Sequence, residues 1–184
     1  DGCTDDTESR LSALNDDRIS FYNLERRLPY PPPGRDRWLV AGTHAALQLA
    51  PHVKGHFVTH LDDDDMYEPE RIQIMVEAAK EHRADLLWHK FWYQQPDETW
   101  KLWGSENLEL GEVGLAMTFY HSYFARVPGD LYAYRLNEPG DWNRIRKIKY
   151  MRPTMHFVDR PLTWYYHFPR RPPAVIDPSE EYLD

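Results

Sequence analysis

His56-Phe-Val-Thr-His-Leu61 runs directly into Asp62-Asp-Asp-Asp65, and the reading of that junction decides the reading of the chain. The first six residues form a compact apolar run bounded by Gly55 and by acids, the pattern of a buried strand. Four adjacent carboxylates repel one another, and uncompensated repulsion destabilises a compact state. At the carboxyl end of a strand they stand where α/β proteins bind ligands. Mg²⁺ or Mn²⁺ would relieve the repulsion, because both take oxygen ligands. The plainer alternative is a solvated acidic loop. If extended geometry persists beyond Leu61, Asp62 and Asp64 point to one side and Asp63 and Asp65 to the other.

On the amino-terminal side, Trp38, Ala41, Ala45 and Leu49 recur at helical spacing, which predicts one helix from Arg37 to Ala50, closed by Pro51 and Gly55. Leu28-Pro-Tyr-Pro-Pro-Pro-Gly34 is a loop. Ile19 to Leu24 alternates as a short strand does, and Thr4 reads as the cap of a helix to about Leu14, with Asp5 and Asp6 in its first turn. On the carboxyl side, Glu68-Pro69 opens a helix with Ile72, Met75, Val76 and Ala79 as its buried stripe. Ala84 to Tyr93 and Thr99 to Trp103 read as strands joined by a turn at Pro96-Asp97. Leu115 to Tyr120 reads as a strand, Asp141 to Lys149 as a helix, and Met155 to Val158 and Leu162 to His167 as two short strands. Alternating helices and strands make an α/β domain.

The bulk properties narrow the classes. The chain has 184 residues, suiting a single domain, and 41% hydrophobic residues supply a core. Aromatic residues are abundant at 14%, which excludes general disorder. A formal net charge of −8 argues against a nucleic-acid partner. It leaves phosphate-bearing substrates open, because a divalent cation bridges acid to phosphate. Cys3 is the only cysteine, so no intrachain disulfide forms, as suits a reducing compartment. No apolar run is long enough for a membrane span and no signal peptide opens the chain, which predicts a soluble, cytoplasmic protein.

Two stretches taken together carry a family resemblance. Asp1-Gly-Cys-Thr-Asp-Asp-Thr7 resembles the Asp-Gly-Ser-Thr-Asp-Asp-Thr turn of family 2 glycosyltransferases, and His60-Leu-Asp-Asp-Asp-Asp-Met-Tyr-Glu-Pro-Glu-Arg-Ile72 resembles that family's acidic motif and the helix after it. The likeness spans residues 1–95 and, more loosely, 115–168. It implies a GT-A fold, a mixed sheet flanked by helices, with the family's first strands lying upstream of Asp1. It also implies one domain over residues 1–184, with a nucleotide-sugar-binding half (1–103) and an acceptor-binding half (104–184). The implied activity moves a sugar from a nucleoside-diphosphate-sugar to a hydroxyl acceptor (a sugar, lipid or small molecule), with Mn²⁺ or Mg²⁺ as cofactor and inversion at the sugar.

The roles implied by the resemblance fall on particular residues. Asp1 matches the acid that contacts the nucleotide base. Asp62 and Asp64 match the outer aspartates of Asp-x-Asp, with Asp64 the direct metal ligand, while Asp63 touches the ribose. Asn137-Glu-Pro-Gly-Asp-Trp142 resembles the family's Glu-Asp-Trp segment, which makes Asp141 the general base for the acceptor hydroxyl. A helix N-cap is the structural alternative for Asp141. Gly140 stands where many members carry a second acid, a charge that Glu138 would supply from the loop. Gly42-Thr43-His44 replaces the family's frequent Ala-Arg-Asn, so Arg37 or Arg35 would take over the nucleotide contact.

Among nine histidines, His60 and His89 lie in strands and read as satisfied core residues, His121 and His156 carry little signal, and His167 is a further candidate metal ligand. Trp88, Trp92, Trp100 and Trp103 either pack the core or offer a platform to a sugar ring. Two alternatives stay open. One is a nucleotidyltransferase of similar fold. The other is a non-catalytic, divalent-ion-binding or nucleotide-binding relative, which the absent arginine and Gly140 keep open.

Overall fold

The computed structural model describes residues 2–24 and 30–166. Its frame is a mixed six-stranded sheet centred on β3 (Leu86–Gln94). β6 (Met155–Tyr165) lies parallel to β3 on one side. On the other side β5 (Thr118–His121) pairs antiparallel with the first half of β3 and β4 (Trp100–Trp103) with the second half. β1 (Phe57–Val58) extends the sheet beyond β5, and β2 (Met66–Tyr67) extends it beyond β6.

Helices cover both faces, as an α/β pattern requires. α4 (Arg71–His82) buries Met75 and Ala79 against Leu87, Phe119, Val158 and Leu162. α5 (Gly140–Tyr150) buries Trp142, Ile145 and Ile148 against Leu86, Trp88, Met117 and Tyr120 on the opposite face. The smaller helices α1 (Thr7–Ala13), α2 (Arg35–Val40) and α3 (Thr43–Leu49) precede β1.

The register of β3 against β6 shifts between His89 and Lys90 and again before Trp92. An extra residue in a ladder reverses which face the following side chains take. The extra residues lie on β6, and alongside them β3 changes phase as well: Leu86 and Trp88 share the α5 side with Phe91 rather than with Lys90. Pro161, which has no N–H to donate, faces Lys90 in this irregular stretch. The same kink explains why the sequence suggests two strands, 155–158 and 162–167, where the chain forms one bulged strand.

Several expectations are corrected. The helix expected over 37–50 is two helices, because Ala41 is extended and Gly42 adopts φ 74°, a left-handed turn. Ile19 to Leu24 forms no ladder. Instead the Asn23 side chain pairs with the Cys3 backbone in both directions, at 2.8 Å each. Thr4 does not cap α1, whose N-cap is Asp6. The run 56–61 is half-buried rather than buried, and only two of its residues join the sheet, as an edge strand with Leu61 52% exposed. The buried stripe of α4 is rotated, so that Ile72 is exposed and Arg71 is fully buried.

Arg71 is tolerated there because acceptors surround it. Its Nη2 donates to the Ala116 and Thr118 carbonyls at 3.0 and 3.1 Å, its Nε donates to His89 Nε2 at 2.9 Å, and its guanidinium lies 3.8 Å from the Tyr67 ring centre. Buried charges persist only when hydrogen-bonded in this way.

Candidate active site

A cavity of about 740 Å³ opens beside the carboxyl ends of β3 and β6. Four carboxylates line it: Asp62, Asp63, Asp64 and Asp141. The three consecutive acids share it because residues 62–65 form a hydrogen-bonded turn, with the Asp65 amide donating to the Asp62 carbonyl at 3.2 Å. The extended alternation expected from the sequence therefore fails at this turn. Asp65 alone turns inward, 6% exposed, and its Oδ1 accepts from the Tyr166 amide at 3.1 Å. It fastens the acidic turn to the end of β6, while β2, immediately after the turn, pairs Met66 with Trp164.

Asp141 reaches the cavity from the first turn of α5. It is not the helix cap, since Pro139 occupies that position. Its Oδ1 accepts from the Trp142 amide at 2.6 Å and its Oδ2 from the Leu115 amide at 3.3 Å. Burial pushes the Asp141 carboxyl above its ordinary range, against the pull of those amides. Asp62 reaches solvent through the cavity mouth, yet most of its surroundings are protein. Desolvation, followed by the charges of Asp64, Asp141 and Asp63, raises its carboxyl too. The two ends of the acidic system, 79 positions apart in sequence (141 − 62), are thus electrostatic neighbours.

Aromatic residues form another wall. Phe91, Tyr93, Trp103 and Tyr165 line the cavity. Trp103 is held by its indole N–H on the Gly111 carbonyl at 2.8 Å. The sequence left open which tryptophans face the cleft. Trp88 packs in the core with its indole N–H on the Ser105 carbonyl, and Trp92 and Trp100 turn away from the cavity to meet Trp164. Nothing in the periodicity of residues 86–94 signals the bulge that makes this division.

The remaining candidates divide clearly. Asp1 and His167 lie outside the described residues. Arg37 is exposed, donates from Nε to the Pro31 carbonyl at 2.7 Å and does not line the cavity. Glu138 supplies no charge to the cavity either, since Arg146 and Asn143 hold both its oxygens, at 2.7 to 3.1 Å. A side chain at Gly140 has no room, because a Cβ there would collide with Thr43 Oγ1. His89 is a core residue as expected, whereas His60 is half-buried and lines the cavity, its Nε2 2.5 Å from the Tyr120 hydroxyl. Sequence reasoning missed Arg144, a buried cation in the cavity wall one turn after Gly140.

The sequence profile described as Glycosyl transferase family 2 matches residues 35–159, more than half of the chain. The chain belongs to glycosyl transferase family 2. No significant relative is found among curated proteins. Solved structures similar to this family 2 chain include S. aureus TarS 1–349 in complex with UDP-GlcNAc, with a TM-score of 0.62, 15% identity and 93% of the present chain covered. The same TarS fragment in complex with UDP gives a TM-score of 0.63 at 14% identity over 90% of the chain. The family 2 chain spans 49% of the length of that fragment. The mixed sheet flanked by helices is therefore the GT-A fold expected from the resemblance. Among the described residues no helix is long and apolar enough to cross a membrane.

Proposed function

We propose that this family 2 chain transfers a sugar from a nucleoside-diphosphate-sugar to a hydroxyl acceptor with inversion, and that a UDP-sugar is the donor to test first. The reading is carried by one observation: Asp141 and the Asp62–Asp64 turn line one cavity. The TarS complexes with UDP-GlcNAc and UDP support the choice of donor.

In the proposed reaction Asp141 accepts the proton of the acceptor hydroxyl as that oxygen attacks the anomeric carbon. The bond from the anomeric carbon to the phosphate oxygen breaks, and the nucleoside diphosphate leaves with the bonding pair. A carboxyl raised by burial is a stronger base than one in water, which suits the role. The Leu115 and Trp142 amides fix its direction. Phe91, Tyr93, Trp103 and Tyr165 exclude water and offer flat surfaces to a sugar ring.

Asp64 and Asp62 would hold Mn²⁺ or Mg²⁺, with His167 as a further proposed ligand. The donor set fits: hard carboxylate oxygens on one turn, where desolvation and then the neighbouring acids make Asp62 resist ionisation. Among the described residues no group of three or more His, Cys, Asp or Glu side chains is placed to hold a metal ion. That suits a cation that takes one or two carboxylates and completes its shell from substrate phosphates and water. When bound, the cation neutralises charge on the leaving diphosphate. Asp63 remains the proposed ribose contact.

The decisive experiment compares wild type with Asp141→Asn in UDP-sugar turnover and UDP binding. Loss of turnover with retained binding supports the reading; equal turnover in both proteins removes Asp141 as the base. UDP binding without turnover in wild type itself would select the non-catalytic alternative.

A further inference from the structure

Arg144 is 4% exposed and lines the cavity. Its Nη2 donates to the Ala125 carbonyl at 2.5 Å. Its Nε is buried and has no hydrogen-bond partner among the described residues, and no carboxylate there forms an ion pair with it. A buried guanidinium with one hydrogen bond and no counter-ion is a costly arrangement, and Arg144 lacks the three hydrogen bonds that hold Arg71.

The groups around it do not supply that anion. Tyr120, whose ring centre is 5.5 Å from the guanidinium carbon, stays a neutral phenol, its ionisation pushed up to about 12 by burial. His60 stays a neutral imidazole, disfavoured as a cation first by burial and then by the charge of Arg144. The carboxyl of Asp62 is raised first by desolvation and then by its fellow acids, with no opposing pull from Arg144.

Among the described residues that line the cavity, Arg144 is the sole lysine or arginine, and four carboxylates share that lining. Its place on α5 is also specific. Residues four apart share a helix face, and Gly140, four before it, abuts Thr43 at the start of α3. Arg144 therefore extends the wall that α3 and α5 build together.

We propose that Arg144 is the chain's own anion-binding residue, donating from its guanidinium to a phosphate oxygen of the diphosphate that enters the cavity. This rests on the nucleotide-sugar reading above and deepens it by assigning the diphosphate's protein partner. The acidic turn cannot hold a diphosphate unaided, because both are negative. Arg144 meets the anion from the protein side, in charge-assisted geometry that a guanidinium favours.

The test is calorimetric titration of the full chain with sodium pyrophosphate, UDP and uridine, in wild type, Arg144→Gln and Arg144→Lys. We expect Arg144→Gln to weaken pyrophosphate and UDP about 10-fold or more while changing uridine by less than about 2-fold, in line with loss of a charge-assisted bond. Arg144→Lys should fall between the two, keeping the charge without the Nε–H. Because a variant at a buried site can misfold, the Nε–H resonance of Arg144 in wild type gives a second readout and should move on pyrophosphate addition. UDP binding of equal strength in a folded Arg144→Gln protein, or an unmoved resonance at pyrophosphate saturation, overturns the proposal and leaves the nucleotide-sugar reading standing. Arg144-dependent pyrophosphate binding without any response to UDP upholds the anion site and removes the nucleotide reading. Failure of wild type to bind either anion overturns both.

Discussion

The Leu115 amide donates to Asp141 Oδ2 at 3.3 Å, tying the turn that enters β5 to the first turn of α5. The bond joins two elements 26 residues apart and fixes the proposed base by a backbone group that no substitution at 115 short of proline removes. Replacing Asp141 by Asn is expected to lower kcat by about 10²- to 10⁴-fold, the usual worth of a general base, with UDP affinity little changed. The same change should raise the midpoint of thermal unfolding at neutral pH, since a carboxyl held above its ordinary range opposes folding once it ionises. Steady-state kinetics beside a thermal melt measures both effects.

Arg71 underlies that arrangement from the other side. It holds the Ala116 carbonyl, next to Leu115, and shares the Thr118 carbonyl with Thr59 Oγ1. Arg71→Met fills the volume but leaves the Ala116 carbonyl and His89 Nε2 without their donor. A loss of about 2–4 kcal/mol in urea-unfolding stability is expected, from two buried groups at about 1–3 kcal/mol each. An unchanged urea midpoint would show that the network contributes little.

Gly140 and Thr43 form a matched pair. Gly140→Ala should cost about 1–3 kcal/mol through overpacking, because the new Cβ meets Thr43 Oγ1. Thr43→Ala removes that oxygen and should restore most of the loss in a double-mutant cycle. Additive single effects would show that α3 simply moves aside.

Acid sensitivity follows from two histidines. Burial pushes His60 and His89 down to about 3, from an ordinary value near 6.5. The unfolded chain therefore binds protons below about pH 6.5 that the folded chain refuses. Their contribution to stability is present above that pH and is lost as pH falls toward 3. Asp62 and Asp141 act in the opposite sense: their raised carboxyls favour folding at low pH, and that help disappears as pH rises through their folded values. Urea titrations at pH 7.5, 6 and 5 should show falling stability. In His89→Gln the slope should be smaller by about one proton, roughly 1.4 kcal/mol per pH unit.

Divalent cation should act on the acidic turn. Mn²⁺ with UDP is expected to raise the melting midpoint at pH 7 more than UDP alone does, since a ligand that binds only the folded state stabilises it. Asp64→Asn should remove the difference. The Mn²⁺ effect should also fade as pH falls and Asp62 becomes protonated, because the ligand must be ionised to bind.

Much of this was legible in the sequence where local chemistry dominates. The α4 helix and the β3–β4 hairpin follow from periodicity and breakers, whereas the short strand β2 between the acidic run and α4 had no signal of its own. The candidate cavity unites Asp62, Asp63, Asp64 and Asp141, residues whose kinship rested on the motif alone. What escaped was set by tertiary geometry. Gly42 looks like a tolerated glycine in a helix until its left-handed φ splits α2 from α3. Arg71 reads as a surface residue, yet it is buried because carbonyls from a distant turn await it. Arg144 belongs to an ordinary basic stretch, Arg144-Ile-Arg-Lys147, and only the packing of α5 decides which of its charges faces inward.

The slipped pairing beyond His89 has a consequence for how this protein tolerates insertions and deletions. Removing one residue of β3 between His89 and Phe91 would exchange Phe91 and Tyr93 for Trp92 and Gln94 across the whole strand end, turning the aromatic cavity lining outward without altering a single aromatic. Point changes adjust such a surface gradually, but a change in chain length would replace it in one step.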